Sequence, residues 1–296
     1  MTRILLATSL CLSLHIASFA EGEKLPVGQT TDHLNLVFSV TNGEQVHAFY
    51  GGILGLQRIP DLKFPNNVYM IRYMGGKTEI KFIVTGQQLP KMEGGTGKAR
   101  GIRLMALMLP ITEQAGILER AHNAGIKEPV FTKQTNRELG YNYQFGMMYD
   151  FDGNQVELVF LDEKAPAEKF DQVQIGCTVS DIKAMDKFVG EIIGAKPLVT
   201  DERIHRYTVG KSQIKFWQTQ DELPAWVGGP MEKIGMDLIQ FIVPDVDAVR
   251  AEVLERGGKI HTEPFALGTI ATIMFVEGPD GILFEFAGPL AERFKK

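Results

Sequence analysis

Two short segments of this 296-residue chain repeat each other: Thr78-Glu79-Ile80-Lys81-Phe82 and Ser212-Gln213-Ile214-Lys215-Phe216. Each follows a glycine turn, and each is followed further on by an Asp-Gly turn leading to a glutamate. The first such run is Asp152-Gly153-Asn154-Gln155-Val156-Glu157 and the second Asp280-Gly281-Ile282-Leu283-Phe284-Glu285. Self-similarity at this spacing marks a duplicated fold and constrains architecture more tightly than composition does.

Within that frame four units can be read, each running strand, helix, three strands. The first has a strand over 34–40, a helix over about 43–51 ending in glycines, and strands over 68–73 and 78–84. The second has a strand over 102–109, a helix over 112–124 stopped by Gly125, and strands over 143–149 and 155–160 about the Asp152-Gly153 turn. A polar stretch containing Ala165-Pro166-Ala167-Glu168-Lys169 separates the halves. The third unit then repeats the first, with strands over 173–179, 207–209 and 213–217 and a helix over 182–193. The fourth repeats the second, with strands over 238–243, 270–276 and 282–286 and a helix over 246–256. Tight glycine turns between the last strands of each unit make antiparallel hairpins, so the fold class is α+β rather than doubly wound α/β.

Residues 4–16 are apolar, Arg3 is the one charge before Glu21, and Ser18-Phe19-Ala20 offers small residues for cleavage. Residues 1–20 therefore read as a signal peptide, without a membrane anchor, and the expected location is secreted or periplasmic. With Cys11 removed only Cys177 remains, so no internal disulfide is expected. The net charge of -5 provides no basic surface for nucleic acid.

The order of elements, with the Phe49-Tyr50-Gly51-Gly52 and Asp-Gly/Glu signatures, resembles the vicinal oxygen chelate superfamily of glyoxalases, bleomycin-resistance proteins and extradiol dioxygenases. The resemblance implies four βαβββ modules whose sheets curl into cups, paired into two domains: residues 30–163, a linker at 164–169, and residues 170–290. It also implies a site formed by the first and last strands of each module. The corresponding positions are Asn35, Lys81, Leu104 and Glu157 in the first half, and Gln174, Lys215, Leu238 and Glu285 in the second.

Those residues carry their own chemistry. A divalent metal needs three or four anionic or imidazole donors, whereas leucine offers none and a lysine ammonium repels a cation. The expectation is a cofactor-free site in each half, with Lys81 paired to Glu157 and Lys215 to Glu285. Asn35, Leu104, Gln174, Trp217 and Leu238 would line cups for a small organic molecule. On this reading the protein is an exported binding protein or lapsed enzyme. Two alternatives are a lyase or isomerase using a desolvated lysine, and a metal enzyme (Zn, Ni, Fe or Mn) built on His33, Glu79 and Glu157.

Overall fold

The computed structural model describes residues 33–91, 94–137, 139–166, 171–198, 204–225 and 229–295. The signal segment at 1–20 and residues 167–169 of the linker lie outside them. The strands are β1 (Asn35–Val40), β2 (Gln57–Lys63), β3 (Tyr69–Gly75), β4 (Thr78–Val84), β5 (Gly101–Pro110), β6 (Thr132–Asn136), β7 (Tyr141–Tyr149) and β8 (Gln155–Leu161). The second half adds β9 (Val173–Val179), β10 (Lys196–Pro197), β11 (Ile204–Val209), β12 (Ser212–Gln218), β13 (Gly235–Ile242), β14 (Lys259–Leu267), β15 (Ala271–Glu277) and β16 (Leu283–Gly288).

One helix follows the first strand of each unit: α1 (Gly43–Val46), α2 (Gln114–Asn123), α3 (Ile182–Lys187) and α4 (Val246–Glu255). The side chains of Asn42, Asp181 and Asp245 accept hydrogen bonds from the first backbone amides of α1, α3 and α4. α1 and α3 continue as wide π-helical turns over His47–Ile53 and Phe188–Ile193, which bury Phe49, Tyr50, Phe188 and Val189.

Each of the four units is therefore β-α-β-β-β. The strands that sequence periodicity leaves unplaced are β2, β6, β10 and β14. All four lie at sheet edges and, having much exposed surface, carry no continuous apolar pattern.

The sixteen strands form two mixed eight-stranded sheets. The first runs β14-β15-β16-β13-β1-β4-β3-β2 and the second β10-β11-β12-β9-β5-β8-β7-β6. The two units within each half of the chain therefore do not share a sheet. The first unit pairs with the fourth through the antiparallel β1/β13 ladder, and the second with the third through β5/β9. This corrects the expectation that each half of the chain forms its own paired domain.

One large apolar core fills the space under both sheets. It includes Leu36, Phe38, Ile80 and Phe82 from the first sheet, Met105, Leu107, Ile175 and Phe216 from the second, and the inner helix faces. The opposite face of each sheet is a cup with its own apolar cluster. One contains Val37, Leu238, Ile273 and Leu283, and the other Ala106, Met108, Tyr143 and Phe145. Among the described residues no helix is long and apolar enough to cross a membrane.

Candidate functional site

Strand pairing superposes the two cups position for position. In the first sheet Asn35 stands opposite Gln240, and Gln240 beside Glu285. In the second Gln174 stands opposite Ala106, and Ala106 beside Glu157. One step along, Lys81 is level with Val37, and Lys215 with Gly176. Directly paired residues share a face, so each cup floor gathers an amide, a lysine and a glutamate.

The expected lysine–glutamate pairs do not form: Lys215 pairs instead with Glu157, and Lys81 bridges to Glu79 while its charge acts on Glu285. Lys215 Nζ lies 3.4 Å from Glu157 Oε2, with the two side chains 1% and 0% exposed. Lys81 acts electrostatically on Glu285. The expected pairs, Lys81 with Glu157 and Lys215 with Glu285, would each span two different sheets. The exchange follows from the first unit sharing a sheet with the fourth.

Leu104 and Leu238 face the cups, but opposite Gly176 and Val37 rather than opposite the amides. The residues level with Gln174 and Asn35 are Ala106 and Gln240. A second displacement lies just before them. Arg103 and Asp237 are extra residues in β-bulges, and the bulges turn Ile102 and Met236 into the shared core instead of the cups.

Sequence reasoning missed two arginines. Arg72 is the cross-strand neighbour of Lys81, and Arg206 that of Lys215. A signal for them exists, since Arg72-Tyr73 and Arg206-Tyr207 stand at the same distance before their lysines and extend the repeat backwards.

The polar groups of the first cup are closed upon one another. Gln240 Oε1 accepts from Asn35 Nδ2 at 2.9 Å and from Lys81 Nζ at 2.5 Å. A hydrogen bond from the Gln240 amide helps hold the Glu285 carboxylate, although burial is the larger effect and raises its pKa. Asn35 Oδ1 accepts from the Glu79 backbone amide. Glu79 Oε2 lies 3.3 Å from Arg72 and 3.5 Å from Lys81.

The second cup is organised differently. Gln213 stands where the first cup has Glu79. Glu157 Oε1, Gln213 Oε1 and both amide atoms of Gln174 are buried and make no hydrogen bond among the described residues. Burial lowers the Lys215 pKa; the Glu157 carboxylate opposes that shift and Arg206 reinforces it. Trp217 is half-buried, and its ring leans across Gly176: a Cβ on that glycine would sit 2.9 Å from two indole carbons and 2.9 Å from Leu104 Cβ.

Two surface cavities, of about 590 and 800 Å³, lie to the side of these floors. Neither is lined by Lys81, Glu285, Lys215 or Glu157. The first reaches Met108 and Leu161, which also belong to the apolar end of the second cup.

The donor sets do not fit a divalent metal. The second floor offers one carboxylate and two neutral amides and the first adds a second carboxylate, Glu79, that is already bridged to Arg72 and Lys81; each has an ammonium among its groups. The alternative set is not assembled either. Glu79 is in the first sheet, bridged to Arg72 and Lys81, and Glu157 is in the second. His33 lies just before β1, and among the described residues no three of His, Cys, Asp and Glu converge.

Comparison with known proteins gives one family match, in the second half of the chain, and several similar folds. Residues 169–286 match the profile of the Glyoxalase/Bleomycin resistance protein/Dioxygenase superfamily. The fold is similar to that of glyoxalase I from Zea mays (16% identity, 86% of this chain and 91% of that chain, TM-score 0.63). It is also similar to a provisionally named dioxygenase from Bacillus subtilis subsp. subtilis str. 168 (15% identity, 91% and 87%, TM-score 0.64). A third similar structure is the cppA protein from Streptococcus pneumoniae TIGR4 (10% identity, 88% and 98%, TM-score 0.51). No curated protein gives a significant sequence match.

Proposed function

From the match of residues 169–286 to the glyoxalase, bleomycin-resistance and dioxygenase superfamily, we propose that the chain is an exported protein binding a small organic molecule in a metal-free cup. The observation that supports this most is the Lys215–Glu157 pair on the floor of the second cup, flanked by buried polar atoms that have no hydrogen-bond partner among the described residues. A buried polar group without a partner costs on the order of 1–3 kcal/mol, so a ligand that supplies the missing bonds gains both affinity and orientation. Trp217 and the Tyr143/Phe145 wall supply an apolar surface for the rest of the molecule.

The lysine stands in for the positive charge of a cation. Its ammonium offsets Glu157 without coordination chemistry, and ligand binding needs no added metal. The test has two parts. Elemental analysis of the mature protein should find Zn, Ni, Fe and Mn far below stoichiometric. A thermal-shift screen of small apolar and amphiphilic compounds in chelator should yield stabilising ligands whose effect is lost in Trp217→Ala. Stoichiometric metal that leaves with Glu157→Ala would overturn the reading.

The lowered Lys215 pKa favours a second reading, a lyase or isomerase acting through that amine. A neutral Lys215 would attack a substrate carbonyl and lose water to form an imine. Borohydride would trap that imine as a secondary amine on Lys215, and mass spectrometry would locate it. Absence of an adduct with every carbonyl ligand found in the screen would leave binding alone.

A further inference from the structure

The two cups differ at one decisive position, where the first has Gln240 and the second Ala106. In the first cup the Gln240 side chain is the keystone of the floor. Its oxygen takes hydrogen bonds from Asn35 and Lys81, and its amide group bonds Glu285. In the second cup the groups that surround that place are retained: Gln174 for Asn35, Lys215 for Lys81 and Glu157 for Glu285. The carboxamide is missing, because alanine ends at Cβ, and Gln213 replaces the Glu79 carboxylate beside the lysine. Two of the atoms left without hydrogen bonds, Gln174 Nε2 and Glu157 Oε1, are those a carboxamide there would serve. Gln174, 1% exposed, has neither amide atom bonded, and Glu157, 0% exposed, has Oε1 unbonded.

We infer that the second cup binds a small molecule through a primary carboxamide, seated where the first cup holds the Gln240 side chain, so that the protein has one ligand site rather than two. This rests on the small-molecule reading above and adds the chemical class and the cup. The ligand oxygen would accept from Lys215 and Gln174, and its NH₂ would donate to Glu157 Oε1. A carboxylate of the same shape is disfavoured, because it would turn a lone pair toward Glu157 Oε1. An N,N-dialkyl amide has no N–H to donate. The body of the ligand would lie against Trp217 and the apolar end of the cup.

The probe is benzamide, titrated into the mature protein in chelator and followed by calorimetry and Trp fluorescence, with benzoate and N,N-dimethylbenzamide as comparison ligands. The wild-type protein should bind one equivalent, at least tenfold more tightly than either comparison ligand. Ala106→Gln copies the first cup and should abolish binding. Gln240→Ala copies the second cup and should create a second site. Gln174→Met keeps the shape of the floor but removes the amide, and should weaken benzamide at least tenfold, which keeps the test decisive if Ala106→Gln does not fold. Benzoate binding as tightly as benzamide, or benzamide binding unchanged in Ala106→Gln, would overturn the inference. If benzamide fails while other compounds bind in a Trp217-dependent way, the carboxamide assignment falls and the small-molecule reading stands. If nothing binds, both fall.

Discussion

The Lys215 ammonium lies 3.4 Å from the Glu157 carboxylate, although the two residues belong to different halves of the chain. β12, which carries the lysine, and β8, which carries the glutamate, are separated in the sheet by β9 and β5. The pair therefore spans the seam at which the second and third units join. Both side chains are fully enclosed, and their energetics differ from those of a surface ion pair.

Removing either partner should be strongly destabilising. Lys215→Met leaves a buried carboxylate and Glu157→Gln a buried ammonium, and each should cost about 3–5 kcal/mol in urea unfolding. The double variant Lys215→Met/Glu157→Gln should lose much less than the sum. Additive losses would show that the two charges do not depend on each other.

Cleavage of the linker should not separate the halves. A protease site introduced within residues 164–169 should yield two fragments that elute together in gel filtration, because the β1/β13 and β5/β9 ladders both cross between them. Two independently folded monomeric fragments would contradict the exchanged sheet pairing.

Gly176→Ala should disturb the Trp217 indole. The added methyl would meet ring carbons and Leu104 Cβ at 2.9 Å, below normal contact distance. The indole must move, at a cost of about 1–3 kcal/mol, and the Trp217 contribution to the fluorescence spectrum should shift to the red as the ring is exposed. An unchanged spectrum and stability would place the indole elsewhere.

Asp237 should make stability pH-dependent in mild acid. Burial is the main cause that raises its carboxyl from 3.8 to about 6, with the Lys233 ammonium, 2.6 Å away, opposing the shift. The folded state therefore holds a proton more tightly than the unfolded chain. Its contribution is fully present below about pH 4 and is lost as pH rises through about 6, on the order of 3 kcal/mol for a shift of about two units. Asp237→Asn should flatten the stability profile over that interval. A slope that persists in the variant would assign it to other groups.

The sequence by itself determined the four repeated β-α-β-β-β units, the α+β class, and the residue types that lie in each cup: lysine, glutamate and amide. These were legible because they depend on local periodicity, turn chemistry and repetition along the chain. The outer strands β2, β6, β10 and β14 were not, since half-exposed edges impose no apolar rhythm. Only the tertiary structure decided which glutamate meets which lysine. That depends on which units share a sheet, and strand pairing across more than a hundred residues leaves no local trace. It also decided that Ala106 and Gln240, rather than Leu104 and Leu238, stand level with the amides, because register between strands distant in sequence is set by their pairing, and that the bulges at Arg103 and Asp237 turn Ile102 and Met236 away from the cups.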